Sequence, residues 1–156
     1  MDDPLYSLRQ ANSNDYAFLY RLHADTMRPY VEQLWGWEEA WQQEYFARKF
    51  DPQNRQIIVI DGQDAGVLYI EEHQHEIYLA LIEIAPAFQG RGVGTAILNS
   101  LIILAGERHV PLNLHVLKSN KPARRLYERL GFAVVGEEQY RCKMCCSPAS
   151  AAENGS

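Results

Sequence analysis

Gln89-Gly90-Arg91-Gly92-Val93-Gly94 joins the apolar run 77–85 to a long apolar segment that opens near Val93. A strand, a glycine turn and a helix start in that order make an anion cradle. Glycines let the backbone approach a ligand without Cβ clashes, and the unpaired N–H groups of the helix's first turn point at negative charge. Phosphate is the natural guest. Two further residues have proton-transfer chemistry. Glu83 interrupts a strand that is otherwise apolar on both faces, with Ile77, Leu79 and Leu81 on one and Ala80, Ile82 and Ile84 on the other. A buried lone carboxylate is costly unless paired or protonated, so Glu83 marks either an internal polar pocket or a fraying strand end. His115 lies in a run where Leu112, Leu114 and Val116 alternate with Asn113, His115 and Leu117, the period of a strand with one polar-tinged face.

The elements that must hold these residues are legible as hydrophobic periods and breakers. A short strand is expected at 6–10, then a helix capped within Asn12-Ser13-Asn14-Asp15 that runs to about Met27 and buries Phe18, Leu19 and Leu22. The stretch 28–37 is dense in aromatics, and a helix follows over 38–50. Those rings either cover the core or form a substrate-facing wall, with Arg28 and Tyr30 at its rim and Trp35 beside them. Strands at 56–61 and 65–72 flank Asp61-Gly62, a hairpin signal, and the strand at 76–85 belongs in the sheet centre with both faces covered. The helix from Val93 to Arg108 is apolar on most sides, which fits burial against the sheet. Asn120-Lys121-Pro122 opens another helix, Gly131 closes it, and strands at 133–136 and 140–145 form a last hairpin.

With 156 residues, 47% of them hydrophobic, the chain can bury one substantial core. A single domain is expected over 1–146, followed by a disordered tail at 147–156. No apolar run reaches the roughly 18 residues of a membrane span, and Met1-Asp2-Asp3-Pro4 lacks the basic flank of an export signal. A cytoplasmic protein with no membrane partner is expected. The net charge of -5 argues against a nucleic-acid partner, which calls for a basic surface. Cys142, Cys145 and Cys146 are odd in number and crowded, which speaks against a disulfide framework. No second pair completes a zinc set, and no metal is expected.

Other nucleotide cradles fit poorly. A dinucleotide fingerprint starting at Gly90 and Gly92 demands glycine where Thr95 stands, and a P-loop needs Gly-Lys-Ser or Gly-Lys-Thr. The second half of the signal is Asn120-Lys-Pro-Ala123-Arg-Arg-Leu126-Tyr127-Glu-Arg-Leu-Gly131-Phe132. Together the two segments resemble the GNAT superfamily of acyl-CoA-dependent N-acetyltransferases. Gln89, Gly92 and Gly94 match its glycine motif, and Asn120, Ala123, Leu126, Tyr127, Gly131 and Phe132 match its later N-x-x-A-x-x-L-Y-x-x-x-G-F pattern. The order of elements fits over nearly the whole chain.

The resemblance implies an α+β fold of three layers, a central mixed, mostly antiparallel sheet with helices on both faces. It implies acetyl-CoA as co-substrate, its pyrophosphate held by main-chain N–H groups of Gly90, Arg91, Gly92, Val93, Gly94 and Thr95 after Gln89. Lys118, Lys121, Arg124 and Arg125 supply local positive charge, or are simply a solvated helix face. The backbone of Glu83, Ile84 and Ala85 would bond the pantetheine arm, with the Ile84 N–H polarising the thioester carbonyl. Tyr127 would donate its proton to the sulfur as the thiolate leaves. Asn120 either bonds the arm or caps its helix, and Ala123 and Arg124 lie beside it. Glu83 and His115 are the candidate bases, because a lysine-like amine is neutral in only about one part in 2,500 at pH 7, a deficit of roughly 4.6 kcal/mol. Some members carry a glutamate base where this chain has Tyr78, which leaves the base open and argues against a histone-type enzyme.

The implied activity is direct acetyl transfer to a primary amine of a small molecule or peptide, with Arg28, Tyr30, Trp35 and Glu83 on the acceptor side. The rival is an acyl-CoA-binding sensor without turnover. Exposed edges of the final strands leave room for a homodimer.

Overall fold

The computed structural model describes residues 4–148. The tail expected to be disordered lies, from residue 149, outside the described residues. Seven strands form: β1 (Ser7–Gln10), β2 (Gln56–Ile60), β3 (Gln63–Glu72), β4 (Ile77–Ile84), β5 (Leu112–Leu117), β6 (Ala133–Glu137) and β7 (Arg141–Cys146). Four α-helices join them: α1 (Tyr16–Leu34), α2 (Glu39–Lys49), α3 (Val93–Arg108) and α4 (Lys121–Arg129). The strands are hydrogen-bonded in the order β1-β2-β3-β4-β5-β7-β6, which puts the twice-apolar β4 at the centre as its composition requires. The sheet is mixed and mostly antiparallel.

The chain forms two compact units, one running to Tyr69 and including Leu81–Val93, the other comprising Ile70–Ala80 and the chain from Gly94 onward. In the first, β1 pairs with β2 and β2 with β3, all antiparallel, with a bulge at Ile58/Val59. Ala11, Leu19, Leu22, Ile57 and Val67 form its core, and Phe18, Phe46 and Phe50 pack against them. Gly66 on β3 has no room for a side chain, since an added Cβ would collide with the main-chain carbonyl of Glu83. This contact draws the backbone of β3 close to the strand that carries the carboxylate.

Helix α1 differs from expectation. It continues seven residues beyond Met27, carrying Pro29 inside it. An interior proline removes one helix hydrogen bond and costs about 3 kcal/mol. Here Val31 is buried beyond it, and tertiary packing of that kind overrides local propensity.

In the second unit β4 runs parallel to β5, with Ile77 opposite Leu112 and Leu79 opposite Leu114. β7 pairs antiparallel with both β5 and β6. Helix α3 buries Ile97, Leu98, Leu101 and Ala105, one stripe at helical spacing, while Ile103 remains 60% exposed. Burial of α3 is therefore one-sided, narrower than its composition implies. All three cysteines are free thiols, with Cys142 and Cys146 buried.

Candidate active site

The glycine turn follows β4 through a short 3-10 turn, Pro86–Phe88. Gly90 and Gly92 hold φ of +81° and +80°, the left-handed region that favours glycine, and an added Cβ at either would meet nothing within 4 Å. The space beside the turn is open. The first turn of α3 presents the N–H groups of Val93, Gly94 and Thr95, donors that have no acceptor within the helix itself. Gln89 braces the loop by donating its side-chain amide to Ile84 O at 2.8 Å. Arg91 lies over the Phe88 ring and 3.3 Å from Asp61 Oδ2. The Ala85 N–H donates to Ala65 O and its carbonyl accepts from Phe88 N–H, so both its backbone groups are engaged within the protein. Geometry and charge of this turn suit a phosphate-bearing ligand.

Glu83 is buried, its side chain 3% exposed, and it is not at a frayed end. His23 Nδ1 on α1 stands 3.1 Å from its Oε2. Both line a cavity of about 150 Å³ with Leu19, Gln42, Val67 and Leu81, all in the first unit. A carboxylate and an imidazole in a small, mostly apolar cavity can accept and hold a proton from a bound nitrogen.

His115, in the second unit, has other partners. Its Nδ1 is hydrogen-bonded to the Tyr78 hydroxyl and its Nε2 lies 3.0 Å from Glu138 Oε2. An ionised carboxylate only accepts, so Nε2 carries the hydrogen, and a neutral ring then accepts from Tyr78 O–H at Nδ1. Burial, helped by Arg141, lowers the His115 pKa, and burial raises that of Tyr78. Both shifts favour the neutral forms that this chain of hydrogen bonds needs. The register explains the contact: Tyr78 sits opposite Asn113, and His115 is the next residue on the same face of β5.

Tyr127 is buried on α4, its ring edge-on to Phe132, and its hydroxyl has no hydrogen-bond partner among the described residues. Burial pushes its pKa up to about 12. Asn120 caps α4, its Oδ1 accepting from Ala123 N–H at 3.3 Å. Arg124 pairs with Glu128 one turn on, at 2.8 Å.

A family model for the acetyltransferase (GNAT) family matches residues 16–132. The chain belongs to this family. The matched span carries Glu83, the glycine turn, His115, Asn120 and Tyr127, and it stops short of Glu138. The GNAT chain is 38% identical over 79 residues to a 5-NmdU N-acetyltransferase of Pseudomonas phage PaMx11, a match covering 49% of this chain. It spans 55% of that relative's length. It is 29% identical over 140 residues to the spermidine N(1)-acetyltransferase of Escherichia coli (strain K12), covering 83% of this chain and 74% of the relative. Its fold matches that of a PaiA N-acetyltransferase from Thermoplasma acidophilum, solved in complex with coenzyme A. The TM-score is 0.74 at 12% identity, over 91% of this chain and 98% of that one.

Of the residues expected on the acceptor side, Arg28 is held by Glu32 at 2.8 Å and lies over the Trp37 ring. Tyr30 is half-buried on α1. Trp35 lines a separate cavity. Sequence reading missed His23 and Gln42. His23 follows Leu19 and Leu22 at helical spacing, so its place on the buried stripe of α1 was the available signal.

Proposed function

We propose that this chain moves an acetyl group from acetyl-CoA to the primary amine of a small molecule or peptide, directly, within a ternary complex. The observation that carries this reading is the buried Glu83–His23 pair at a cavity in the same compact unit as the open glycine turn. Family membership, and relatives named as N-acetyltransferases, support it. The thioester, when bound, supplies an activated carbonyl.

Residues of the chain do the rest. The N–H groups that open α3 take the pyrophosphate, with Gly90 and Gly92 keeping side chains out of its way. The Ile84 N–H polarises the carbonyl. Glu83, held by His23, takes the proton that the amine loses as the C–N bond forms and the C–S bond breaks. His115 has both ring nitrogens occupied, which favours Glu83 as the base. Tyr127 offers its hydroxyl to the departing sulfur. With a pKa of about 12 it stays protonated, whereas a thiol titrates near 8.5, so the tyrosine donates a hydrogen bond and the thiolate takes its proton from solvent. No residue need act as a nucleophile.

Thiol release from acetyl-CoA, followed over amino acids, polyamines, aminoglycosides and short peptides, tests the reading. Release that depends on at least one amine is expected. Tight acetyl-CoA binding with no amine-dependent release would instead fit a sensor.

A further inference from the structure

All three tryptophans of the chain border one cavity of about 430 Å³, lined by Trp35, Gly36, Trp37, Glu38, Trp41 and Gln42. Indoles seldom gather at an open surface. A fully buried cluster would be core, but Trp35 and Trp41 are 49% and 48% exposed. The lining is acidic as well as aromatic. Between Arg28 and Gln42 the sequence has one arginine, which Glu32 neutralises, and three glutamates. Trp37 Nε1 donates to Glu39 at 2.7 Å, which fixes that ring and places a carboxylate beside it. Tyr20 and Gln43 also donate to Glu39, and these three hydrogen bonds, Trp37's foremost, hold its pKa down to about 2. Helix α1 ends at this cavity with no basic residue in its last turn, so its negative pole faces the same space. Rings nearby already hold cations of this chain: Arg28 lies over Trp37, and Arg48 and Lys49 lie over Tyr45, which stacks on Trp41.

Gln42 gives the second observation. It is 6% exposed and lines both this cavity and the one holding His23 and Glu83. Its side-chain amide, an acceptor and a donor at once, stands where a ligand passing between the two cavities would meet it.

We propose that the tryptophan-lined cavity is a subsite for a second, positively charged nitrogen of the acceptor, so that the preferred substrate is a small alkyl diamine. One amine reaches Glu83, the Gln42 carbonyl accepts from the ligand along the way, and the distal ammonium rests among the indoles beside Glu38. This rests on the acetyl-transfer reading, deepening it at the acceptor end.

Two measurements separate the two claims. Tryptophan fluorescence is titrated with 1,4-bis(trimethylammonio)butane, which has no N–H to acetylate. A saturable change is expected, weakened at least fivefold in Trp41→Ala and at least threefold in Glu38→Gln, an exposed and isosteric change that spares the fold. Then kcat/KM is compared for 1,4-diaminobutane and 1-aminobutane. A preference of at least tenfold for the diamine is expected, reduced at least fivefold in both variants. Absence of saturable quenching, or equal kcat/KM for the two amines, overturns the subsite. Saturable quenching without any acetyl transfer would support the subsite and remove the acetyl-transfer reading instead.

Discussion

His23 on α1 and Glu83 on β4 stand 3.1 Å apart although 60 residues separate them in sequence, and they do so inside one compact unit. A strand carboxylate that would be costly to bury alone is thereby given a partner, at the wall of a cavity large enough for an amine.

Replacing Glu83 with glutamine keeps the shape and removes the proton acceptor. At neutral pH kcat should fall at least tenfold, with the KM for acetyl-CoA within about twofold. The residual rate should climb about tenfold per pH unit, since the fraction of free amine rises that way below its pKa of about 10.4. Steady-state kinetics from pH 6 to pH 9 check this. A rate equal to that of the unchanged protein would remove the assigned role.

Tyr127→Phe removes the hydroxyl and keeps the ring that packs on Phe132. Acetyl-CoA affinity should stay within threefold while kcat falls at least tenfold. Binding calorimetry and thiol-release kinetics on the same preparation separate the two effects.

Gly92→Asp places a side chain at a φ of +80° and a negative charge beside the proposed pyrophosphate. Coenzyme A affinity should drop at least tenfold, read by calorimetry, with circular dichroism checking that the fold survives. Equal affinity in a folded variant would dismiss the cradle.

His115 titrates below its usual value in the folded chain, so the unfolded chain binds its proton first as pH falls. Its contribution to stability is then complete above about pH 6.5 and is lost as pH falls through the lowered folded value. Urea midpoints at about pH 7.5 and about pH 5.5 should differ more for the unchanged protein than for His115→Gln. An identical pH dependence would contradict this account of the Tyr78–His115–Glu138 chain.

Much of this was written in local sequence. The bounds of α3 and β5, and the cap at Asn120, follow from period, proline and cap chemistry, which act over a few residues. What escaped depends on tertiary packing. Helix α1 passes Pro29 with Val31 buried beyond it, a fact no propensity carries. Glu83 was recognisable as an anomaly, but its partner lies on a distant helix with no motif of its own. Likewise His115 stood out, whereas its link to Glu138 depends on how the hairpin folds back. Gln42 carried no signal at all, because an unremarkable helix glutamine becomes notable only once two cavities meet at it.

The most direct test is mass spectrometry of protein and amine after mixing with acetyl-CoA. The account predicts one acetylated amine for each free thiol formed, and an unmodified protein when the amine is withheld. An acetylated protein that passes its group on, or thiol release without acetylated amine, would contradict it.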